Sequence, residues 1–347
     1  MLSRTLMILK LKNINPNKMN KMKRKISLLV TGLSFGLSLM AQSPRAYITN
    51  YGEDFISVID VASKEKIADI KTGKNPHGAA VSPDGKTVAV SNEGDNTVSI
   101  ISASDNTVQQ TIAVGKTPHQ LSFSMDGNYL LTAINGEHKV DVISTTDWKL
   151  SQSIPVGRNP HIVLPMPDGK SVWVTSEGDN KIVKIDLDEM KVVAEIPVFG
   201  FPRVMTATPD GKLIYLTIRW LHGVVKIDTE QNKIVSWIQL PVTEKFDNEG
   251  KAAHGLCASP DGKSVYLTSQ FTDKVYVIDA ESNEIVNTIQ AGKNPNWIDI
   301  TPDGKIAVVS NTSSNDADII DLSLGKSIAK IAVGKNPKRL DVSMVRD

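Results

Sequence analysis

The chain has 347 residues, of which 39 are Lys or Arg, 38 are Asp or Glu and one is cysteine. A single cysteine excludes an internal disulfide and a metal site built from several thiolates. Residues 1–41 carry eight basic side chains and no acidic one, and subtracting these eight from the net charge of +1 leaves −7 for residues 42–347. Because such a body repels phosphate backbones, we expect no nucleic-acid binding.

The N-terminal segment has the three parts of a secretory signal. Basic residues 21–25 precede an apolar run from Ile26 to Met40, which ends at the small residue Ala41. The run is shorter than the ~20 residues of a membrane-spanning helix, so we expect cleavage after Ala41 and no membrane span. The signal itself starts at Met19 or Met22. We therefore predict that residues 1–41 are an upstream extension plus signal peptide, and that residues 42–347 are exported to the periplasm or outside a bacterial cell.

A repeat of about 42 residues runs through the rest of the chain. Its marker is an Asp-Gly turn, which occurs at Asp84, Asp126, Asp168, Asp210, Asp261 and Asp303. A fixed period of this length indicates a solenoid, a propeller or a similar array.

Each repeat predicts four short antiparallel strands. The first is led by proline, and the other three are β-branched runs separated by Asp, Asn and Gly. Ser-Pro-Asp-Gly-Lys supplies the fixed and positive φ angles that a hairpin between strands one and two needs. Four strands in about 42 residues are typical of a propeller blade. The prediction is an all-β, seven-bladed β-propeller.

The two ends of the chain are predicted to share one blade. After the signal, the sequence enters a repeat at its second strand, which begins near Ala46. The missing first strand is found at Arg339–Met344, so the ring closes and leaves no open edge.

The run Tyr47-Ile48-Thr49-Asn50 and its copies resemble the YVTN family of β-propeller repeats, over residues 44–347. The resemblance implies the propeller fold. It leaves the function open, because members of that family have varied binding and enzymatic roles.

Two rings of polar side chains are expected around one mouth of the central channel. The first ring follows the proline of each first strand: His77, His119, His161, Arg203, His254, Asn296 and Lys338. The second ring lies between strands two and three: Tyr51, Glu93, Asn135, Glu177, Arg219, Gln270 and Thr312. Both rings differ from blade to blade, which is what a binding site for an asymmetric ligand requires.

The histidines of the first ring allow three interpretations. Neutral imidazoles bind copper, zinc and haem iron, and His77, His119 and His161 on adjacent blades form a candidate metal arc, so copper or haem is a possible cofactor. The same side chains, with His254, could instead contact a small molecule. In the third interpretation they are structural, because their period-two phase is shared with apolar residues such as Ala79 and places them on the face packed between blades. His138 and His222 are expected to be solvated.

A lactonase-like activity is a further alternative. The repeat loosely resembles the lactonase family of seven-bladed propellers, and the resemblance implies that Glu93, Glu177, Arg203 and Arg219 would act as base and oxyanion partners. Most of that match is the Pro-Asp-Gly hairpin, which any such repeat needs.

Blade five departs from the repeat. Nine extra residues fall within residues 241–250, and Trp220, Phe246 and Trp297 are expected to add aromatic surface beside the arginines. Loop insertions often carry specificity. We therefore expect a monomeric binding protein rather than an enzyme, which recognises a small molecule or a protein partner at the channel mouth.

Overall fold

A computed structural model describes residues 43–242 and 252–345. This part of the chain forms seven four-stranded antiparallel sheets, which confirms the predicted seven-bladed, all-β propeller. The predicted signal, Phe246 and all but the first two residues of the 241–250 insertion lie outside the described residues. No helix within the described ranges is long and apolar enough to cross a membrane.

The strands are numbered in chain order and the blades in order around the ring. Blade 1 contains β28 (Pro337–Met344), β1 (Pro44–Asn50), β2 (Phe55–Asp60) and β3 (Glu65–Lys71). Blade 2 contains β4 (Pro76–Val81), β5 (Thr87–Asn92), β6 (Thr97–Ser102) and β7 (Thr107–Ala113). Blade 3 contains β8 (Pro118–Phe123), β9 (Tyr129–Ile134), β10 (Lys139–Ser144) and β11 (Leu150–Pro155). Blades 4 and 5 contain β12 (Pro160–Pro165), β13 (Ser171–Ser176), β14 (Lys181–Asp186) and β15 (Lys191–Pro197); and β16 (Pro202–Ala207), β17 (Leu213–Ile218), β18 (Gly223–Asp228) and β19 (Lys233–Gln239). Blades 6 and 7 contain β20 (Ala253–Ala258), β21 (Ser264–Ser269), β22 (Lys274–Asp279) and β23 (Ile285–Gln290); and β24 (Pro295–Ile300), β25 (Ile306–Asn311), β26 (Asp316–Asp321) and β27 (Lys326–Ala332). Two 3-10 turns, Asn135–Glu137 and Glu177–Asp179, join the second and third strands of blades 3 and 4.

Position within the blade explains the composition of each strand. The second and third strands are buried on both faces, as in blade 2, where β5 and β6 carry consecutive buried aliphatic residues. Strands covered by neighbouring sheets on both faces lose the alternation of polar and apolar residues. The fourth strand is the outer edge, and β7 is exposed except at Ile112. Packing between blades therefore supplies the core.

The repeated Asp-Gly turn closes the hairpin between the first two strands. In blade 2 the Asp84 carboxylate accepts hydrogen bonds from the Ser82 hydroxyl at 2.6 Å and the Lys86 N–H at 3.1 Å. Gly85 has a φ of +72°, a conformation that costs glycine little. The sequence prediction of this turn is confirmed.

The ring closes through the two ends of the described chain. β28 pairs antiparallel with β1, from Pro44 opposite Met344 to Asn50 opposite Pro337. The predicted sharing of one blade is confirmed. β28 also carries three charged residues, Lys338, Arg339 and Asp341.

Candidate functional site

Each innermost strand contains a β-bulge just after its first residue. In blade 2 the register shifts between Pro76 and Ala79, so His77 and Gly78 together oppose the single residue Ser91. Register shifts at the same place occur in the other six blades. An extra residue interrupts the period-two phase of a strand. The expectation that the histidines lie on the face packed between blades is therefore wrong.

Hydroxyl groups of the second strands hold most of these bulges, whereas Ala133 occupies this place in blade 3. The Thr175 hydroxyl accepts the Ile162 N–H at 3.0 Å. Thr49, the threonine of the Tyr-Ile-Thr-Asn run, accepts the Arg339 N–H at 3.0 Å and donates to the His77 carbonyl of the next blade at 2.9 Å. Buried N–H groups need such partners. The threonine of the repeat thus positions the ring residues.

Four imidazoles converge at the centre of the ring. The ring centroids of His77 and His119 are 4.5 Å apart, those of His119 and His161 are 5.3 Å apart, and those of His161 and His254 are 6.1 Å apart. His161 belongs to blade 4 and His254 to blade 6, so contact between them skips a blade. The four histidines therefore line the channel.

Glu93 connects the second ring to the first. Its Oε2 atom lies 2.9 Å from His77 Nδ1 and 3.6 Å from His119 Nε2. The Tyr51 hydroxyl donates to Glu93 Oε1 at 3.0 Å. The contact with His77 is short, but its angle is not that of a hydrogen bond, and His77 Nδ1 has no hydrogen-bond partner. Glu93 is therefore fixed at one oxygen by Tyr51 and shared by two imidazoles at the other.

Glu177 and Arg203 face each other across the same mouth. Glu177 Oε1 lies 3.4 Å from Arg203 Nε and 3.6 Å from His161 Nδ1, and neither contact has hydrogen-bond geometry. Burial raises the pKa of Glu177, and the charge of Arg203 opposes that rise. The Glu177 carboxylate therefore lies close to the Arg203 guanidinium, but its Oε1 atom accepts no hydrogen bond from Arg203 Nε.

Arg339 contacts residues of three other blades across the ring and has no exposed surface. Its guanidinium donates to Gln120 Oε1 at 2.9 Å and to His161 Nε2 at 2.7 Å, and it lies 4.9 Å from the centroid of the Trp297 ring. His161 Nε2 also accepts from Arg203 at 3.1 Å. Since Nε2 accepts twice, these hydrogen bonds assign the proton of His161 to Nδ1. Arg339 thus ties blades 1, 3, 4 and 7 together.

The imidazoles are neutral at pH 7. Burial, followed by the charge of a nearby arginine, holds the pKa of His77, His161 and His254 well below the usual range. Burial and then His77 lower the pKa of His119 to about 2. The fixed charges are four cations and two carboxylates: Arg203, Arg219, Lys338, Arg339, Glu93 and Glu177. The site is therefore positive even with both carboxylates ionised.

We call these residues the channel-mouth cluster: Tyr51, His77, Glu93, His119, Gln120, His161, Glu177, Arg203, His254, Trp297, Lys338 and Arg339. Several of its buried polar atoms have no hydrogen-bond partner: His77 Nδ1, His119 Nδ1, Glu177 Oε1, Arg203 Nε and Arg339 Nε. Buried polar atoms are usually paired, so this group of unpaired atoms makes the cluster the candidate functional site.

The predicted site residues separate into those inside the cluster and those around it. Arg219 lies beside it, with its guanidinium 5.8 Å from the Phe201 ring, and Arg203 lies 6.0 Å from the same ring. Both arginines thus lie against the Phe201 ring, and Trp220 is 62% exposed. His222 was expected to be solvated but is fully buried, and its Nδ1 accepts the Ala253 N–H at 3.1 Å.

Sequence reasoning missed Arg339 and Gln120. Both follow a first-ring residue directly, and the bulge turns this second position toward the channel. Glycine or an aliphatic residue occupies the position in four other blades. Arg339 is the one charged residue at this position in the seven blades, and that difference could have identified it from the sequence.

The opposite face holds clefts of a different kind. One of about 490 Å³ lies between blades 5 and 6, and one of about 430 Å³ between blades 2 and 3. Both are lined by the hairpin turns that every blade repeats, so they follow from the fold and do not distinguish this chain.

Solved structures share this architecture. The hydrazine synthase of Kuenenia stuttgartiensis is 22% identical, with a TM-score of 0.70 over 79% of this chain and 91% of that chain. A candidate 6-phosphogluconolactonase from Bacteroides fragilis is 21% identical, with a TM-score of 0.73 over 88% and 99%. The dihydro-haem d1 dehydrogenase NirN is 17% identical, with a TM-score of 0.64 over 86% and 74%. At these identities the likeness is one of fold.

No curated protein matches the sequence significantly. The profile of the YNCE-like β-propeller family, in contrast, matches residues 30–150, 136–245 and 239–343. Because these matches span most of the sequence, the chain belongs to the YNCE-like β-propeller family.

Proposed function

We propose that this chain is a binding protein that captures a small anionic molecule at the channel-mouth cluster. The observation that carries the proposal is the excess of buried positive charge around unpaired donors, Arg203 Nε and Arg339 Nε. A buried guanidinium with an unused N–H is costly unless an acceptor completes it.

The chemistry of the cluster favours an oxyanion. Guanidinium groups recognise carboxylates and phosphates through paired hydrogen bonds. His119 is neutral and can donate from one nitrogen, which adds a donor without further charge. Carboxylate or phosphate oxygens would therefore be met by several donors in a low-dielectric channel, where each interaction is stronger than in water.

The same geometry supports a small ligand over a protein partner. The cluster lies inside the ring, where Arg339 and the four imidazoles are buried or nearly so. Small molecules bind in such concave sites, whereas protein partners need a broad exposed area.

Titration calorimetry with 6-phosphogluconate and with inorganic phosphate tests this proposal. We expect saturable binding in the presence of EDTA, and we expect Arg203→Gln to weaken it at least tenfold, or about 1.4 kcal/mol, because the guanidinium is lost from the site. Arg158→Gln is the matched control, since Arg158 is an exposed arginine paired with Asp179. Binding of neither anion, or equal affinity in both variants, would contradict the proposal.

Lactone hydrolysis is the second candidate function. Glu177, whose pKa burial raises, lies 3.4 Å from Arg203, as a general base beside an oxyanion partner would. Adding a sugar lactone to the same preparations separates the two functions. Release of acid would make the protein an enzyme, whereas anion binding without acid release supports the binding role.

We also propose that the chain is exported, on the basis of its basic start and short apolar run. Expression of the full sequence in a bacterium is expected to yield a periplasmic form whose first residue is Gln42, as read by N-terminal sequencing. A full-length product in the cytoplasm or the membrane fraction would rule the proposal out.

A further inference from the structure

We propose that Glu93, His77 and His119 form a binding site for one transition-metal dication, of which Zn²⁺ is the representative. One potential ligand atom from each of the three residues lies within 4.8 Å of the other two. Tetrahedral zinc sites of this type use imidazole nitrogen and carboxylate oxygen at about 2.0–2.2 Å. The inference stands on these residues and does not rest on the anion proposal.

The spacing of the candidate ligand atoms fits a single ion. Glu93 Oε2 already lies 2.9 Å from one imidazole nitrogen and 3.6 Å from another, which is close to the spacing between ligands on a zinc ion. His77 Nδ1 is buried without a hydrogen-bond partner, and the nitrogen of His119 that faces Glu93 is Nε2. His77 Nδ1 is therefore not committed elsewhere, and His119 Nε2 already lies beside the carboxylate.

Tyr51 orients the carboxylate. Its hydroxyl donates to Glu93 Oε1 at 3.0 Å, which leaves Oε2 facing the imidazoles. Metal-binding carboxylates are commonly held by such an outer hydrogen bond. Tyr51 and Glu93 come from the second ring, and the two histidines come from the first, so three neighbouring blades contribute to one site.

His161 does not belong to this site, although the sequence placed it in the candidate metal arc. Its Nε2 accepts hydrogen bonds from both Arg339 and Arg203, so that nitrogen has no free lone pair for a metal. The metal arc predicted from the sequence thus changes, with Glu93 in place of His161.

The surrounding cations restrict which ion fits. Lys338, Arg203 and Arg339 repel any dication, so a hard ion held mainly by charge, such as Mg²⁺ or Ca²⁺, is disfavoured. An ion that forms strong bonds to imidazole, such as Zn²⁺ or Cu²⁺, is favoured. The imidazoles touch edge to face at 4.5 Å, which leaves no space between them for a haem.

Zinc titration of the EDTA-treated, desalted propeller, in a buffer without phosphate or carboxylate, tests the site. We expect one Zn²⁺ per chain, and at least tenfold weaker binding in both His119→Ala and Glu93→Gln. His138→Ala is the matched control, since His138 is exposed and lies outside the cluster. We expect its affinity to equal that of the wild type.

A second measurement guards against variants that fail to fold. Paramagnetic resonance of the wild-type protein with one equivalent of Cu²⁺ is expected to show coupling to two imidazole nitrogens. Absence of stoichiometric Zn²⁺ binding, copper without nitrogen coupling, or equal loss of affinity in His138→Ala would each overturn the site. Anion binding in EDTA is measured separately, so either proposal can fail without the other.

Discussion

Between pH 7.5 and pH 5.5 the free energy of unfolding is expected to fall by several kcal/mol. The cause is five buried histidines whose folded pKa lies below the value of 6.5 for an exposed imidazole: His77, His119, His161, His222 and His254. Below pH 6.5 the unfolded chain takes up protons that the folded protein excludes, so stability present above that pH is lost as the pH falls. Each such group contributes up to about 1.4 kcal/mol per pH unit.

Buried carboxylates oppose this trend but are fewer. Burial and then the charge of Asp341 raise the pKa of Asp299 to about 7, and the pKa values of Asp341 and Glu177 are also raised. Such a group keeps its proton in the folded protein, so its stabilising contribution is greatest at low pH and is lost as the pH rises toward its folded pKa. Three carboxylates therefore reduce, without reversing, the effect of five histidines.

Urea denaturation at several pH values in the presence of EDTA measures the effect. His254→Asn is expected to reduce the loss on acidification, because one proton fewer is taken up on unfolding. Asp299→Asn is expected to increase it, because the opposing carboxylate is removed. Stability that does not change between pH 7.5 and pH 5.5 would show that the histidines are not buried and neutral.

Replacing Arg339 by alanine is expected to lower the free energy of unfolding by about 3 kcal/mol, the cost of breaking a buried charged network. The change leaves Gln120 Oε1 and His161 Nε2 with fewer donors, takes the guanidinium away from Trp297 and opens a cavity. Arg339→Met should cost less, because it keeps most of the volume and removes a cation that burial and Arg203 already disfavour.

Chemical denaturation of the two variants distinguishes these contributions. Arg158→Ala serves as the control, and as an exposed ion pair it is expected to change stability by less than about 1 kcal/mol. If Arg339→Ala were as stable as Arg158→Ala, the guanidinium would not be holding the channel together.

The fold could be predicted from the sequence because its determinants are local and repeated. The turn at Asp84 depends only on the Ser82 hydroxyl, the Asp84 carboxylate and Gly85. Its six copies mark the repeat from which the blades were predicted. The incomplete first repeat and the strand beginning at Arg339 indicated the shared blade without any long-range information. These features are therefore confirmed in detail.

The candidate site was predicted only in part, for two physical reasons. A bulge adds one residue to each innermost strand, and the alternation of residues along the strand does not reveal it. The orientation predicted for His77 was therefore wrong. Arg339 acts through Gln120 and His161, which lie in other blades, and such contacts depend on the closed ring. Contacts between blades also decide which group each histidine faces. His161 accepts a hydrogen bond from Arg339, whereas His77 and His119 lie beside Glu93.

Ring closure also has a consequence for synthesis of the protein. β28 follows the other described strands in the chain, so a ribosome must translate twenty-seven of them before Lys338, Arg339 and Asp341 exist. A chain that ends before β28 contains the strands of blades 2 to 7, but it lacks the side chain that spans the channel. The pairing of β28 that closes the ring and the assembly of the channel-mouth cluster are thus one event, and a prematurely terminated product would lack Lys338 and Arg339 of that cluster.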